Sequence, residues 1–241
     1  MDGSRPGPPS KTARAERNYA IQLRRLAEHV GQMIRGFPPG DPASLPKLSD
    51  TMRRYAEMID PWANNVASAM LAEVNQADIA GWRKLSGSIS SSLQREIVVA
   101  PTGETFRALQ ASQVELIKSI PLESAKRVHD LTIKGLEDST RAASVAEEIM
   151  RSGEVAKGRA MLIARTEVSR AQSNFTQARA EHVGSEGYVW RTSKDGDVRA
   201  SHRSMNGKLV KWSDPPTLDN LTGHAGCLPN CRCWADVQIP R

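Results

Sequence analysis

Glu181-His182-Val183-Gly184-Ser185-Glu186-Gly187-Tyr188-Val189-Trp190 is the stretch at which the chain changes its period. Upstream, from Glu154 to His182, a segment rich in Ala, Arg and Glu predicts one long helix, stopped by Gly184 and Gly187. Downstream, Tyr188-Val189-Trp190, Leu209-Val210-Lys211-Trp212 and Cys233-Trp234-Ala235-Asp236-Val237-Gln238-Ile239 read as short strands. Turn residues separate them: Asp195-Gly196-Asp197, Asn206-Gly207 and Asp214-Pro215-Pro216. The expected product over residues 154–241 is a long helix packed on a small antiparallel sheet, an α+β unit. Trp190, Trp212 and Trp234, one per strand, are its expected core.

The sequence before this unit is helical. Residues 1–10 are Gly/Pro-rich and are expected to form a disordered leader, and residues 11–153 a helical region. Tyr19, Leu23, Leu26, Val30, Met33 and Phe37 recur in steps of four and three, one face of a helix that Gly36 and Pro38-Pro39-Gly40-Asp41-Pro42 end. Leu45, Leu48, Met52, Tyr55, Ile59, Trp62, Val66 and Met70 make a second face. Asp60-Pro61 interrupts it as a kink or as a cap with Pro at the first helical position. Trp82, Leu85, Ile89, Leu93 and Ile97 continue at helical spacing up to a turn at Val98–Gly103. Phe106, Leu109, Leu116 and Ile120 mark a helix broken near Pro121, and Val128, Leu131 and Leu136 another. Ser139-Thr140 is a cap for a short helix ending at Gly153. No internal repeat is present, and these stripes are helix-packing faces carrying no catalytic constellation.

Composition narrows the function classes. Lysine and arginine number 33 against 27 acidic residues, giving a formal charge of +6 and favouring an anionic neighbour such as nucleic acid. A generally basic surface explains the same excess. Five tryptophans stand beside only three tyrosines and three phenylalanines, so aliphatic residues, alanine and methionine must fill most of the core. No run approaches the roughly 18 apolar residues of a membrane span, and no apolar signal segment follows the leader. The expected compartment is cytosolic. All three cysteines fall between residues 227 and 233, a poor disulfide framework and a better metal or thiol site.

An ordered set of residues then carries a family resemblance. Ala164-Arg165-Thr166-Glu167 precedes Asn174, Trp190, Asp197-Val198-Arg199, His202 and Asn206-Gly207. The set closes with Gly226 and Asn230-Cys231-Arg232-Cys233, its most specific part. In order and spacing this resembles the Mu-F-like phage head morphogenesis family. The resemblance implies a non-enzymatic minor head protein, present in a few copies and assembled in the bacterial host cytoplasm into the virion at the prohead portal vertex. Implied partners are the portal protein, the major capsid or scaffold protein, and phage DNA, with no membrane and no small-molecule substrate. Some relatives carry C-terminal toxin or enzyme domains, and no such cargo is expected after Arg241.

Read chemically, Cys227, Cys231 and Cys233 can supply three thiolates, and His202 or His224 can complete a tetrahedral structural zinc site. Such a staple would support a unit whose core is small. The alternative is that Cys231 and Cys233 are small buried hydrophobes and Cys227 is incidental. Arg165 and Glu167, two apart on a helix, reach different partners; an Arg165–Asp197 pair docking helix on sheet is the expected arrangement, and an active-site pair the alternative. No catalytic residue is assigned. A competing enzyme reading is a zinc-stapled, metal-dependent nuclease of the His-Asn-His type built from His202, Asn206, His224 and Asn230. For DNA or portal contact the candidates are Arg14, Arg17, Arg24 and Arg25 on the first helix, with Lys11, Arg35, Arg53 and Arg54 adding charge. These can neutralise phosphates without reading sequence, meet an acidic portal surface, or be a solvated helix face.

Overall fold

A helix survives where its apolar stripe finds cover, and in the computed structural model, which describes residues 12–84, 90–137 and 142–239, most stripes do. Eight α-helices are seen among the described residues: α1 Ala13–Arg35, α2 Leu45–Met58, α3 Asp60–Lys84, α4 Ser91–Val99, α5 Gly103–Glu137, α6 Ala142–Met150, α7 Ser152–His182 and α8 Ala200–Met205. Five strands follow the period change: β1 Gly187–Arg191, β2 Leu209–Lys211, β3 Thr217–Leu218, β4 Leu221–Thr222 and β5 Trp234–Gln238. The class is α+β, as the change of period implies. No helix among the described residues is long and apolar enough to cross a membrane. The leader, Leu85 to Ile89 and the Ser139-Thr140 cap lie outside the described residues.

The chain divides into two compact units. One comprises residues 17–68 and 110–164 and is helical. Tyr19, Leu23, Leu26, Val30 and Ile34 of α1 are buried there, as are Leu48 and Met52 of α2 and Ile117 and Ile120 of α5. Alanines 56, 63 and 67 take the buried positions beside Tyr55, Trp62 and Val66, which are only half-covered. Gly153 does not end a helix, because it is the second residue of α7. A Cβ on Gly31 would stand 3.1 Å from the Gly153 Cα, so these two glycines let α1 and α7 touch backbone to backbone.

Three other boundaries differ from the sequence reading. Helix α5 runs unbroken through Pro121. Proline there forfeits one helical hydrogen bond, at up to about 3 kcal/mol. Ile117 and Ile120 before it and Ala125 and Val128 after it are all buried, and that packing holds both halves of the helix in line. The stripe from Trp82 to Ile97 is not one helix: Ser90, extended at φ −64° and ψ 151°, caps α4 by accepting the Leu93 N–H. Val98 and Val99 finish α4 and are not part of a turn.

The second unit, residues 1–16, 69–109 and 165–241, contains the sheets. Strand order is β2-β1-β5, all antiparallel, with Tyr188 opposite Val210 on one side and Val237 on the other. Helix α7 ends in the expected way. Gly184, at φ +79°, lets the Gly184 and Ser185 N–H groups bond the Glu181 and Ala180 carbonyls, which caps the last turn and redirects the chain into β1. Tyr188 and Trp190 point inward and pack with Trp82, Ile97, Val210, Trp212, Leu228, Cys231 and Cys233. Trp234 is not in this core. Strand parity puts Cys233 inward, so Trp234 shares the other face with its partner Arg191 and stays half-exposed. Helix α8 and the β3–β4 hairpin were not anticipated.

Candidate metal centre

The loop after Leu228 has no regular hydrogen-bond ladder, so its shape depends on side chains. Asn230 takes a left-handed conformation, φ +57°, and is held from two sides. Its N–H donates to the Thr166 hydroxyl at 3.1 Å, and its side-chain oxygen accepts from Arg165 at 3.1 Å. Both partners sit on α7, and Arg165 also lies 3.7 Å from Glu16. Arg165 therefore meets the turn before the cysteines and not Asp197, which pairs with Arg232 at 3.2 Å. Upstream, Gly226 adopts φ +89°, where a Cβ would press within 3.1 Å of the Cys233 carbonyl oxygen. Arg170, paired with the buried Glu167 at 2.9 Å, donates to the Cys227 carbonyl, and Asn174 caps the Arg170 carbonyl.

The other motif residues fix the opposite wall. Gly207, φ +89°, donates its N–H to the Trp190 carbonyl, and Asn206 accepts from the Thr192 backbone and hydroxyl. Arg199 donates to the Pro229 carbonyl. It also immediately precedes α8, which buries His202 edge-on against Trp190, with ring centroids 5.8 Å apart. Each of these contacts constrains a loop, and the loops converge on one point.

That point is His202, Cys231 and Cys233. Their side chains are buried, and His202 Nδ1 and the two Sγ atoms all lie within 4.8 Å of one another. The Nδ1 atom is 3.4 Å from Cys231 Sγ and 3.6 Å from Cys233 Sγ. Hydrogen bonding from Cys233 and from the Cys233 and Gly226 N–H groups holds the Cys231 thiol well below the ordinary range, while the same pairing and burial push Cys233 up. The arrangement is a pocket of soft donors with one sulfur readily ionised, which suits a thiophilic cation.

Cys227 and His224 stand apart from this cluster. Cys227 is half-buried and its thiol is pushed up by burial. His224 packs edge-on against Tyr188 and Trp212, and its Nδ1 lies 3.2 Å from the Tyr188 hydroxyl. Burial depresses its basicity. The four residues of the nuclease reading thus have separate partners: His202 faces the cysteines, Asn206 Thr192, His224 Tyr188 and Asn230 Arg165. On α1, Arg14, Arg17, Arg24 and Arg25 are exposed.

Sequence reasoning missed Asp219. It lies in the β3–β4 turn with Asn220, both at positive φ (53° and 64°), and its carboxylate reaches the His202 Nε2 side at 4.0 Å. Asp-Asn between Leu218 and Leu221 is the residue signature of a two-residue hairpin and was readable as such. It also missed the buried pair Asp78–Arg179, at 2.6 Å, with Asn75, Gln172 and Thr176 around it. A lone Asp on an otherwise ordinary helical stripe gives no such signal.

Comparison with known proteins matches residues 126–235 to the family described as Phage Mu protein F like protein. Those residues are a Mu-F-like domain. It is 36% identical over 137 residues to an uncharacterized protein of Haemophilus influenzae, a match covering 57% of this chain and 29% of that one. It is 26% identical over 151 residues to Minor head protein GP7 of Bacillus phage SPP1, covering 56% of this chain and 46% of the relative. The matched part is thus less than half the length of either relative. No solved structure matches the chain. The Mu-F-like match takes in β1 to β4, the turns, the first two residues of β5 and all three clustered donors, His202, Cys231 and Cys233.

Proposed function

We propose that this Mu-F-like chain is a minor head protein, a structural component that assembles at the portal vertex of the prohead and acts without catalysis. The observation that carries the reading is the family match over the whole donor cluster, joined by the likeness to a phage minor head protein. The use to which the motif residues are put supports a non-enzymatic role: Arg165, Thr166, Asn206 and Asn230 spend their polar groups on fixing loops. The partners in this reading are the portal protein and the major capsid or scaffold protein. The place is the virion head, after assembly in the host cytoplasm. The exposed arginines of α1 are the surface offered to phage DNA or to an acidic portal face.

Within this reading the His202–Cys231–Cys233 cluster holds structural zinc. Two sulfurs and one imidazole are the donors zinc takes, and a bound ion would tie α8 to the start of β5 across a small core.

Removal of the gene from the phage that encodes it tests the assembly role. The expected result is a collapse in infectious particles with major capsid protein still made, restored by the wild-type chain supplied in trans. Full-titre particles without it would overturn the role. DNA contact is tested separately by the salt dependence of duplex binding. Replacing Arg14, Arg17, Arg24 and Arg25 with alanine should flatten the slope of log affinity against log salt by about 0.9 for each phosphate no longer neutralised. An unchanged slope would remove α1 from any DNA interface.

A further inference from the structure

We infer that His202 Nδ1, Cys231 Sγ and Cys233 Sγ are the three protein ligands of the zinc, and that Asp219 orients the imidazole from outside the coordination sphere. Cys227 and His224 take no part. This rests on the zinc reading above and adds to it the ligand atoms, the tautomer and a positioning residue.

The distances select the atoms. Bonds of about 2.0 Å to nitrogen and about 2.3 Å to sulfur at a tetrahedral centre put those two atoms about 3.5 Å apart. The two observed Nδ1–Sγ separations are 3.4 and 3.6 Å. Hydrogen bonding alone accounts for this poorly. One imidazole nitrogen carries a single in-plane proton or lone pair and can satisfy one sulfur well, yet both sulfurs stand at nearly the same distance. A cation among the three engages both.

The far side of the ring supplies an independent observation. His202 is 2% exposed, and its Nε2 is buried without a hydrogen-bond partner among the described residues. A histidine that ligates through Nδ1 must carry its proton on Nε2, and such an N–H characteristically donates to a carboxylate. Asp219 Oδ2 is the carboxylate oxygen on that side, 4.0 Å away. Its position is set by the Ser201 hydroxyl, which donates to it at 2.9 Å, and by Arg199 Nε at 3.6 Å. The β3–β4 hairpin therefore has a use that its own two-residue strands do not explain: its turn delivers a carboxylate to the metal-binding histidine.

The test is zinc stoichiometry by mass spectrometry and zinc affinity by competition with a chromophoric chelator, on the purified full chain under reducing conditions. Wild type and Cys227→Ser are expected to hold one zinc per chain, and Cys231→Ser none. Asp219→Gly keeps the positive-φ turn and removes the carboxylate. It is expected to bind one zinc with a dissociation constant about 10- to 100-fold weaker, while its metal-free unfolding midpoint matches that of the metal-free wild type. Asp219→Asn, which retains an acceptor, should recover part of the loss. A wild type that takes up no zinc overturns the zinc reading itself. Zinc lost in Cys227→Ser overturns the ligand assignment alone. Unaltered affinity in Asp219→Gly, or an equal drop in metal-free stability, overturns the role given to Asp219.

Discussion

Asp78 and Arg179 show what a single buried charge demands. Arg179 is 1% exposed, and its guanidinium bonds Asp78 and Asn75 at 2.6 Å each. Burial pushes the Asp78 carboxyl up against the pull of Arg179, Thr176 and Gln172. Asp78→Ala strands the guanidinium and should cost about 3–5 kcal/mol in urea unfolding. The double change Asp78→Leu with Arg179→Met should cost less than Asp78→Ala alone, and a greater loss would refute the buried-charge explanation. His224 makes a second residue-level prediction. Its basicity is lowered from 6.5 by burial, so the fold favours the neutral ring. That contribution is complete above the unfolded value and is lost as pH falls below it, because the unfolded chain then binds the proton more tightly. The urea midpoint should fall between about pH 7.5 and about pH 5.5, and His224→Gln should reduce the fall. An identical pH profile in the variant would count against it.

At the scale of elements, the sheet depends on the absence of a side chain at Gly187. A Cβ there would lie 2.3 Å from the Val210 carbonyl oxygen, inside the β1–β2 pairing. Gly187→Ala should therefore cost about 1–3 kcal/mol and weaken amide protection in β2 measured by hydrogen exchange; unchanged protection would mean the strands can shift aside. The sequence announced this glycine only as a helix stop. Its second duty depends on which strand lies opposite, a fact of long-range pairing. The same contrast recurs along the chain. Strands β1, β2 and β5 and the end of α7 were legible because period and turn residues are local signals. The continuity of α5 through Pro121 was not, since burial on both sides of it, of Ile117 and Ile120 and of Ala125 and Val128, decides it. Helix α8, six residues long with no side-chain cap, leaves almost no trace in the sequence although it carries His202. Of the five proposed donors, proximity in sequence suggested all three cysteines; folding gathers Cys231 and Cys233 with His202 and points Cys227 elsewhere.

For the whole molecule, the Mu-F-like motif reads as a set of loop locks around a donor cluster. The asparagine before the cysteines is conformational, the arginine and threonine on α7 hold it, and the histidine comes from α8, edge-on against Trp190. Asn230→Ala should loosen this loop without touching the proposed ligands, lowering the thermal midpoint in both the presence and the absence of zinc. A fall seen only with zinc present would instead make Asn230 part of the metal environment.

The most direct test of the assembly role is the protein composition of purified DNA-free proheads, by quantitative mass spectrometry against the portal and major capsid proteins. The account predicts this chain at a fixed low ratio to portal, retained through high-salt washing and absent from heads assembled without portal. Its absence from proheads, or a ratio that drifts with washing, would contradict a place at the portal vertex.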